Sequence, residues 1–233
     1  MAELILPLDR PGRREALELV DDFGGSVDFY KVGLELFSRS GPDVVRELQD
    51  RGKRVFLDLK LMDIPHTVAR AVEAAADLGV DLLTVHAVGG TAMLEAAVAA
   101  AGDSLRLLAV TVLTSSSSGD LAAVWGRPIP SVDAEVTRLA EFARAAGIHG
   151  LVSSAREVRA LRAALGPEAI LVTPGIRLPG GDAHDQTRVA TPDAAVRDGA
   201  DFLVVGRAIT AAADRRAALA EVRRRMAVGA GAV

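Results

Sequence analysis

The sequence alternates short apolar runs, rich in β-branched residues, with longer alanine-rich segments whose apolar residues recur at helical spacing. Eight runs are predicted strands: 4–8, 27–32, 55–60, 81–85, 105–113, 150–153, 170–173 and 202–205. Parallel strands need a crossover between them, usually a helix, so the alternation predicts a closed (βα)8 TIM barrel. An open doubly wound sheet is the alternative. It needs a glycine-rich phosphate loop after its first strand, and LDRPGR at 8–13 does not fit that pattern.

The composition of the chain excludes several classes of function. A chain of 233 residues, 50% hydrophobic and without a linker, predicts one domain over 1–233 with a flexible tail at about 228–233. The net charge of −4 argues against a nucleic-acid or membrane partner and favours a small-molecule ligand. The absence of cysteine excludes disulfides and thiolate catalysis, and it fits a cytoplasmic protein. The first residues indicate a strand rather than a signal peptide, and no stretch approaches the roughly 20 apolar residues of a membrane span.

Lysine is rare in this chain. Of the 27 basic residues only Lys31, Lys53 and Lys60 are lysine. Arginine keeps its proton near neutral pH whereas lysine can release one, so the retained lysines are candidates for proton chemistry. Lys31 and Lys60 fall at the ends of predicted strands, whereas Lys53 lies in a turn and serves as the comparison.

The third predicted strand ends in a charged turn. Asp58 and Lys60 are two residues apart, so in a strand their side chains point to the same face. Asp63 follows the strand, and Pro65 suits the first turn of a helix. Each group also has an ordinary interpretation: Asp58 and Lys60 as a structural ion pair, and Asp63 as a helix cap.

The other strand ends are polar as well, and in a βα barrel they meet at the active site. Acids and lysines follow the first three predicted strands, whereas arginines and glycines follow the last two. This division predicts chemistry on one side of the barrel mouth and phosphate binding on the other, with Gly206 and Arg207 as phosphate ligands. A helix-capping role for Gly206 is the alternative.

Three further features are less specific. The loop between Arg177 and Gln186 is either a lid over a bound phosphate or an ordinary surface loop. His66 and His86 are interpreted as ordinary polar residues. No spacing of His, Asp and Glu forms a recognisable set of metal ligands.

Seven separated motifs together resemble a known family. They are LD at 8–9, FYKVG at 29–33, DLKLMDIP at 58–65, TVLTS at 111–115, TPGIR at 173–177, DQ at 185–186 and VVGR at 204–207. The chain resembles the orotidine 5′-phosphate decarboxylases of the bacterial type over nearly its whole length. The D-x-K-x-x-D spacing alone is shared with related sugar-phosphate decarboxylases and synthases, whereas the full set is specific.

The resemblance implies a homodimeric barrel that converts orotidine 5′-monophosphate to UMP and carbon dioxide in pyrimidine biosynthesis, without metal or cofactor. It implies that Lys60 protonates C6, beside Asp58 and beside an Asp63 contributed by the partner subunit. The remaining implied site residues are Lys31 in the catalytic network and at the ribose, Asp9 at the ribose, Thr114 near the pyrimidine, Arg177, Gln186, Gly206 and Arg207 at the phosphate, and Ile64 and Thr67 near the subunit boundary.

The residue types agree with this chemistry, because loss of carbon dioxide leaves a carbanion that a fixed ammonium group can stabilise and then protonate. Two alternatives stay open. One is a metal-dependent sugar-phosphate decarboxylase or synthase on the same barrel, in which an acid would replace Lys31. The other is a non-catalytic dimer that binds a phosphate ligand. The segment 125–131 has no clear counterpart in the family, and Ala208 stands where proline is frequent.

Overall fold

Eight parallel strands close into a barrel in chain order, each pairing with the next and the first with the last. The computed structural model describes residues 2–179 and 190–231. The strands are β1 (Glu3–Pro7), β2 (Phe29–Gly33), β3 (Arg54–Leu61), β4 (Leu82–His86), β5 (Arg106–Val110), β6 (Gly150–Val152), β7 (Ile170–Thr173) and β8 (Phe202–Val204). The predicted (βα)8 barrel is confirmed.

Helices cover the outside of the barrel. In the described part of the chain they are α1 (Arg13–Phe23), α2 (Leu34–Ser40), α3 (Asp43–Asp50), α4 (Pro65–Asp77), α5 (Thr91–Ala101), α6 (Ser118–Trp125), α7 (Val132–Ala145), α8 (Val158–Leu165), α9 (Pro192–Arg197), α10 (Arg207–Thr210) and α11 (Arg215–Ala230). The sequence did not predict α6, which begins in the polar loop after β5. A capping box explains its start, because Ser117 and Asp120 each accept a hydrogen bond from the other's backbone N–H.

The core has two layers, because strand side chains alternate between faces. One set packs inside the barrel: Ile5, Phe29, Phe56, Leu82, Leu108, Val172 and Val204. The opposite faces of the same strands pack against the helices in a larger cluster. The interior is therefore filled with side chains below the carboxyl ends of the strands, where the barrel opens into its mouth.

A charged cluster covers the amino end of the barrel. The Arg54 guanidinium lies 4.2 Å from the centre of the Phe29 ring and pairs with Glu3 at 2.6 Å and with Asp81 at 2.9 Å. Phe29 in turn packs edge-on against Phe202, with the ring centres 5.7 Å apart. These contacts are at the end of the barrel associated with stability rather than with catalysis.

The carboxyl terminus differs from its prediction. Residues 228–230, which we expected in a flexible tail, belong to α11. Gly229 packs so closely against α9 that a Cβ atom there would lie 2.5 Å from the Asp193 carbonyl oxygen. Residues 232 and 233 lie outside the described residues. Within 2–179 and 190–231, no helix is both long and apolar enough to cross a bilayer.

The close pairing of β6 with β7 yields a stability prediction. A Cβ atom added at Gly150 would lie 2.1 Å from the Ile170 carbonyl oxygen, so the strand pair would have to move apart. We expect Gly150→Ala to lower the free energy of unfolding by about 2 kcal/mol, measured by urea denaturation.

The matched control for that substitution is Gly119→Ala on the exposed surface of α6. There the new Cβ atom would meet only the Ser117 hydroxyl, at 3.7 Å. This variant should be unchanged or stabilised by up to about 1 kcal/mol, because alanine favours the helix. Equal stabilities for the two variants would contradict the close approach at Gly150.

Candidate active site

A cavity of about 650 Å³ opens at the carboxyl ends of the strands. Apolar side chains of the barrel interior, Phe56, Val152 and Val204, line its deepest part. Its volume lies within the range of small-molecule sites. Most of the predicted site residues lie on its wall: Asp9, Lys31, Asp58, Lys60, Thr114, Arg177, Gly206 and Arg207.

Four of these groups form a chain of alternating charge along one wall. The Lys31 ammonium lies 3.3 Å from Asp9 Oδ1 and 3.6 Å from Asp58 Oδ2, and Lys60 Nζ donates to Asp58 Oδ1 at 2.7 Å. The strand pairing produces this order. The Leu8 N–H donates to the Lys31 carbonyl oxygen at 2.9 Å, and β2 and β3 pair from Phe29 to Gly33.

A glycine provides the space for this network. A Cβ atom on Gly33 would come within 3.1 Å of Lys31 Nζ. Gly33 follows Lys31 by two residues on the same face of β2, so a larger side chain there would push the ammonium group aside. Gly33 thus lets Lys31 reach both carboxylates.

Asp58 is held ionised by its neighbours. Burial by itself would raise the pKa of this carboxyl, whose side chain is 15% exposed. The positive charges of Lys31 and Lys60, and hydrogen bonds from Lys60 and Thr84, outweigh burial and hold the pKa of Asp58 below its ordinary value. The network therefore carries a fixed negative charge between two ammonium groups.

The backbone at Lys60 departs from regular strand geometry. Its φ is +52°, and it is the one non-glycine residue in 2–179 and 190–231 with a positive φ. The register of β3 on β4 shifts between Leu57 and Leu61 at the same place. Such a conformation costs roughly 1–3 kcal/mol. Asp58 and Lys60 do meet as predicted, but in a strained bulge rather than in the regular strand on which the prediction was based.

The other wall of the cavity is cationic. Arg177 is buried, and its guanidinium donates to the Ile176 carbonyl oxygen at 2.9 Å. Burial and then the positive charge of Arg207 lower the pKa of Arg177. A second positive charge close to the buried Arg177 guanidinium favours the binding of an anion at this wall. Gln186, the remaining residue predicted for this wall, lies outside the described residues.

Three predicted residues lie away from the cavity. Asp63, Ile64 and Thr67 are all exposed on the segment that leads from β3 into α4. The Asp63 carboxylate accepts the Ile64 N–H at 2.6 Å, whereas the helix has no side-chain cap. The cap interpretation of Asp63 is therefore not supported. Its carboxylate lies on an open surface next to the site.

Sequence reasoning missed two residues of this region. Thr84 on β4 is fully buried beneath the charge chain and is hydrogen-bonded to both Asp58 and Lys60. Arg10 lines the cavity beside Asp9. The sequence did indicate a special role for Thr84, because this polar residue interrupts an apolar run and shares a strand face with Leu82 and His86. His86 itself is half-buried, and burial followed by the charge of Lys60 lowers its pKa.

The fold and the site together define a single-domain (βα)8-barrel enzyme whose charged groups converge at the carboxyl ends of its strands. The chain belongs to the orotidine 5′-phosphate decarboxylase / HUMPS family, whose model matches residues 2–222. Within the described residues, no group of three or more His, Cys, Asp or Glu side chains has the arrangement of a metal site.

Individual relatives agree with this assignment. The orotidine 5′-phosphate decarboxylase of Moorella thermoacetica is 48% identical over 224 residues, covering 93% of this chain and 88% of the relative. That of Opitutus terrae is 49% identical over 223 residues, covering 94% and 96%. The crystal structure of orotidine 5′-phosphate decarboxylase from Lactobacillus acidophilus superposes with a TM-score of 0.86 at 36% identity, covering 97% of this chain and 99% of that one.

The central position of Asp58 yields a pH prediction. Asp58→Asn keeps the shape but leaves two adjacent ammonium groups without the carboxylate between them. We expect it to lower the free energy of unfolding at pH 7 by about 2 kcal/mol, less than for a fully buried pair because water reaches Lys60. Urea denaturation followed by circular dichroism measures this difference.

The difference should depend on pH with a definite sign. The folded-state pKa of Asp58 is depressed, so its stabilisation is fully present above the ordinary value of 3.8 and is lost as the pH falls through the lower folded-state value. The gap between wild type and Asp58→Asn should therefore narrow in that acid range. A gap that stays constant down to acid unfolding would contradict the role of Asp58 charge.

Proposed function

We propose that this protein decarboxylates orotidine 5′-monophosphate to UMP and carbon dioxide in pyrimidine biosynthesis. The observation that carries the proposal is that the alternating chain of Asp9, Lys31, Asp58 and Lys60 lines the same cavity as two arginines. The relatives of 48% and 49% identity that bear the name orotidine 5′-phosphate decarboxylase support it.

The substrate is a nucleotide, and the cavity has a wall for each of its ends. The phosphate would bind at Arg177 and Arg207, with the Gly206 N–H and Gln186 as further ligands. The pyrimidine ring would then extend toward Lys60, with Thr114 beside it. Phosphate contacts far from the reacting carbon provide binding energy that can hold the ring in place during the reaction.

Lys60 would be the catalytic acid. When the bond from C6 to the carboxylate breaks, its electron pair stays on C6 while carbon dioxide leaves. The Lys60 ammonium stabilises that charge and transfers one proton to C6, and the resulting amine regains a proton from solvent. One lysine supplies both the charge and the proton, so the proposed reaction has no step that requires a metal or a cofactor.

The other members of the chain would position Lys60 and the ribose. Asp58 fixes the ammonium group by its hydrogen bond of 2.7 Å and faces the leaving carboxylate, which raises the energy of the bound substrate. Lys31 and Asp9, at the outer end of the chain, would bind the ribose hydroxyl groups. Lys31 thus belongs both to the catalytic network and to the substrate site.

We also propose that two copies of the chain form a dimer and complete each other's sites. Met62 and Ile64 are 56% and 66% exposed, an unusual position for large apolar side chains, and they flank Asp63. A symmetric contact over this surface would bury them, with Thr67 near the boundary. It would also bring the Asp63 carboxylate to the Lys60 of the partner. The cytoplasmic location expected from the sequence stays a prediction.

The test of the proposal is ultraviolet-monitored turnover of orotidine 5′-monophosphate by the pure protein, with a metal chelator present throughout. Lys60→Ala should reduce kcat by at least about 10⁴-fold, because both the charge and the proton donor are lost. Its circular dichroism spectrum should match that of the wild type. An inactive wild-type protein, or substantial activity in Lys60→Ala, would refute the assignment.

Lys53→Met is the matched control for that experiment. Lys53 donates to the Gly24 carbonyl oxygen at 2.7 Å and lies near Asp28, just before the amino end of β3 and away from the cavity mouth at its carboxyl end. Loss of this lysine should affect stability alone and leave kcat near the wild-type value. Equal losses of kcat in both variants would indicate a general effect of losing lysine.

The shared site is tested by mixing two inactive variants, Lys60→Ala and Asp63→Ala. If Asp63 acts across the interface, half of the re-equilibrated dimers are mixed and each has one intact site of two, so about a quarter of wild-type activity should return. Each variant incubated alone under the same conditions is the control. No recovery in the mixture would show that Asp63 acts within its own subunit, and an Asp63→Ala variant that is active alone would show that it has no role.

A further inference from the structure

The strained bulge in β3 needs hydrogen bonds from outside the strand. From Leu57 to Leu61 the strand advances four residues, while its partner β4 advances two, from Leu83 to Val85. The extra residues of β3 leave the regular hydrogen-bond ladder. A backbone group removed from the ladder in a buried strand must find another partner.

The side chain of Thr84 provides that partner. Thr84 lies between the two paired residues of β4 and is 0% exposed. Its Oγ1 accepts the backbone N–H of Lys60 at 2.8 Å and donates its hydroxyl hydrogen to Asp58 Oδ1 at 3.0 Å. A hydroxyl group can do both at once, because it has one donor hydrogen and two lone pairs.

The hydrogen bonds form a closed loop. Thr84 holds the backbone of Lys60 and one oxygen of Asp58, and that same oxygen accepts Lys60 Nζ at 2.7 Å. Both ends of Lys60 are thereby linked to the Thr84 hydroxyl on the neighbouring strand, the backbone N–H directly and the ammonium group through Asp58 Oδ1. Thr84 is β-branched, so few χ1 rotamers are available to it and the oxygen is well fixed.

We propose that Thr84 is a positioning residue for the decarboxylation, acting through Lys60 and Asp58 rather than by contact with the substrate. The inference rests on the proposed function. Among the described residues that line the cavity, Lys60 and Asp58 are present and Thr84 is not. Thr84 keeps Lys60 in its left-handed conformation and sets the direction in which its ammonium group reaches the cavity.

Thr84→Val tests this directly, because valine has nearly the same shape and lacks the hydroxyl. We expect kcat for orotidine 5′-monophosphate to fall about 100-fold, the order expected for a displacement of about 1 Å in a reacting group. KM should stay within about threefold, because the arginine wall is unaltered. Thr84→Ser, which keeps the hydroxyl, should recover kcat to within about tenfold of wild type.

Thr173→Val is the matched control. Thr173 is also fully buried on a barrel strand, but among residues 2–179 and 190–231 its hydroxyl has no hydrogen-bond partner, and it does not line the described part of the cavity wall. Its kcat should be unchanged. The proposal is overturned if Thr84→Val retains wild-type kcat, if only KM changes, or if Thr84→Ser is as impaired as Thr84→Val.

Hydrogen exchange of the Lys60 amide provides a readout independent of activity. The amide donates to Thr84 Oγ1 in the wild type, so in Thr84→Val it should exchange at least about 100-fold faster while amides of the neighbouring strands keep their protection. Thr84→Ser should stay protected. Unaltered protection in Thr84→Val would refute the role of Thr84 even if the wild-type protein fails to turn over the nucleotide, an outcome that would refute the proposed function separately.

If Thr84→Val does not fold, Thr84→Ala replaces it, because alanine removes the hydroxyl and requires no additional space. The same loss of kcat and of Lys60 amide protection is expected. A folded Thr84→Ala with wild-type kcat would overturn the proposal.

Discussion

The site depends on a single carboxylate that separates two ammonium groups. Lys31 and Lys60 both approach Asp58, in a partly buried place where two unscreened positive charges would repel each other strongly. With Asp58 ionised between them, the three groups form a stable alternating chain, and Asp9 extends it to the surface. The barrel makes this possible because the pairing of β2 with β3 sets Lys31 beside the strand that carries the other two.

A regular strand would be less strained than the bulge, but it would orient the reactive groups less specifically. A regular β3 would keep its ladder with β4 and direct Lys60 by strand geometry alone. The bulge instead turns Lys60 into a left-handed conformation, and its N–H is bonded to a threonine side chain. Departures from local preference of this kind concentrate at functional sites, where the surrounding fold compensates for them. In this protein the compensation comes from the neighbouring strand.

The charged side chains that line the cavity are grouped according to the order of the strands that carry them. Strands β1 to β3 bring the carboxylates and lysines, and the segments after β7 and β8 bring Arg177 and Arg207. Since β1 pairs with β8, the two groups of strands are neighbours in the closed barrel, so the two kinds of charge line adjacent parts of one cavity. Asp63 and Ile64, which the proposed dimer would cover, are exposed on the segment that follows β3.

The sequence alone determined the barrel and most of its mouth. The repeated change between strand and helix periodicity requires parallel strands, and parallel strands in a closed sheet bring Lys31, Asp58 and Arg207 to one end. Tertiary structure decided the rest. The left-handed Lys60 and the role of Thr84 arise from pairing between residues 24 apart, which no local pattern encodes. The same is true of helix α11, whose end is ordered because Gly229 lets it pack on α9. Local sequence specifies which groups face the mouth, whereas their exact orientation depends on contacts that exist only when the barrel is closed.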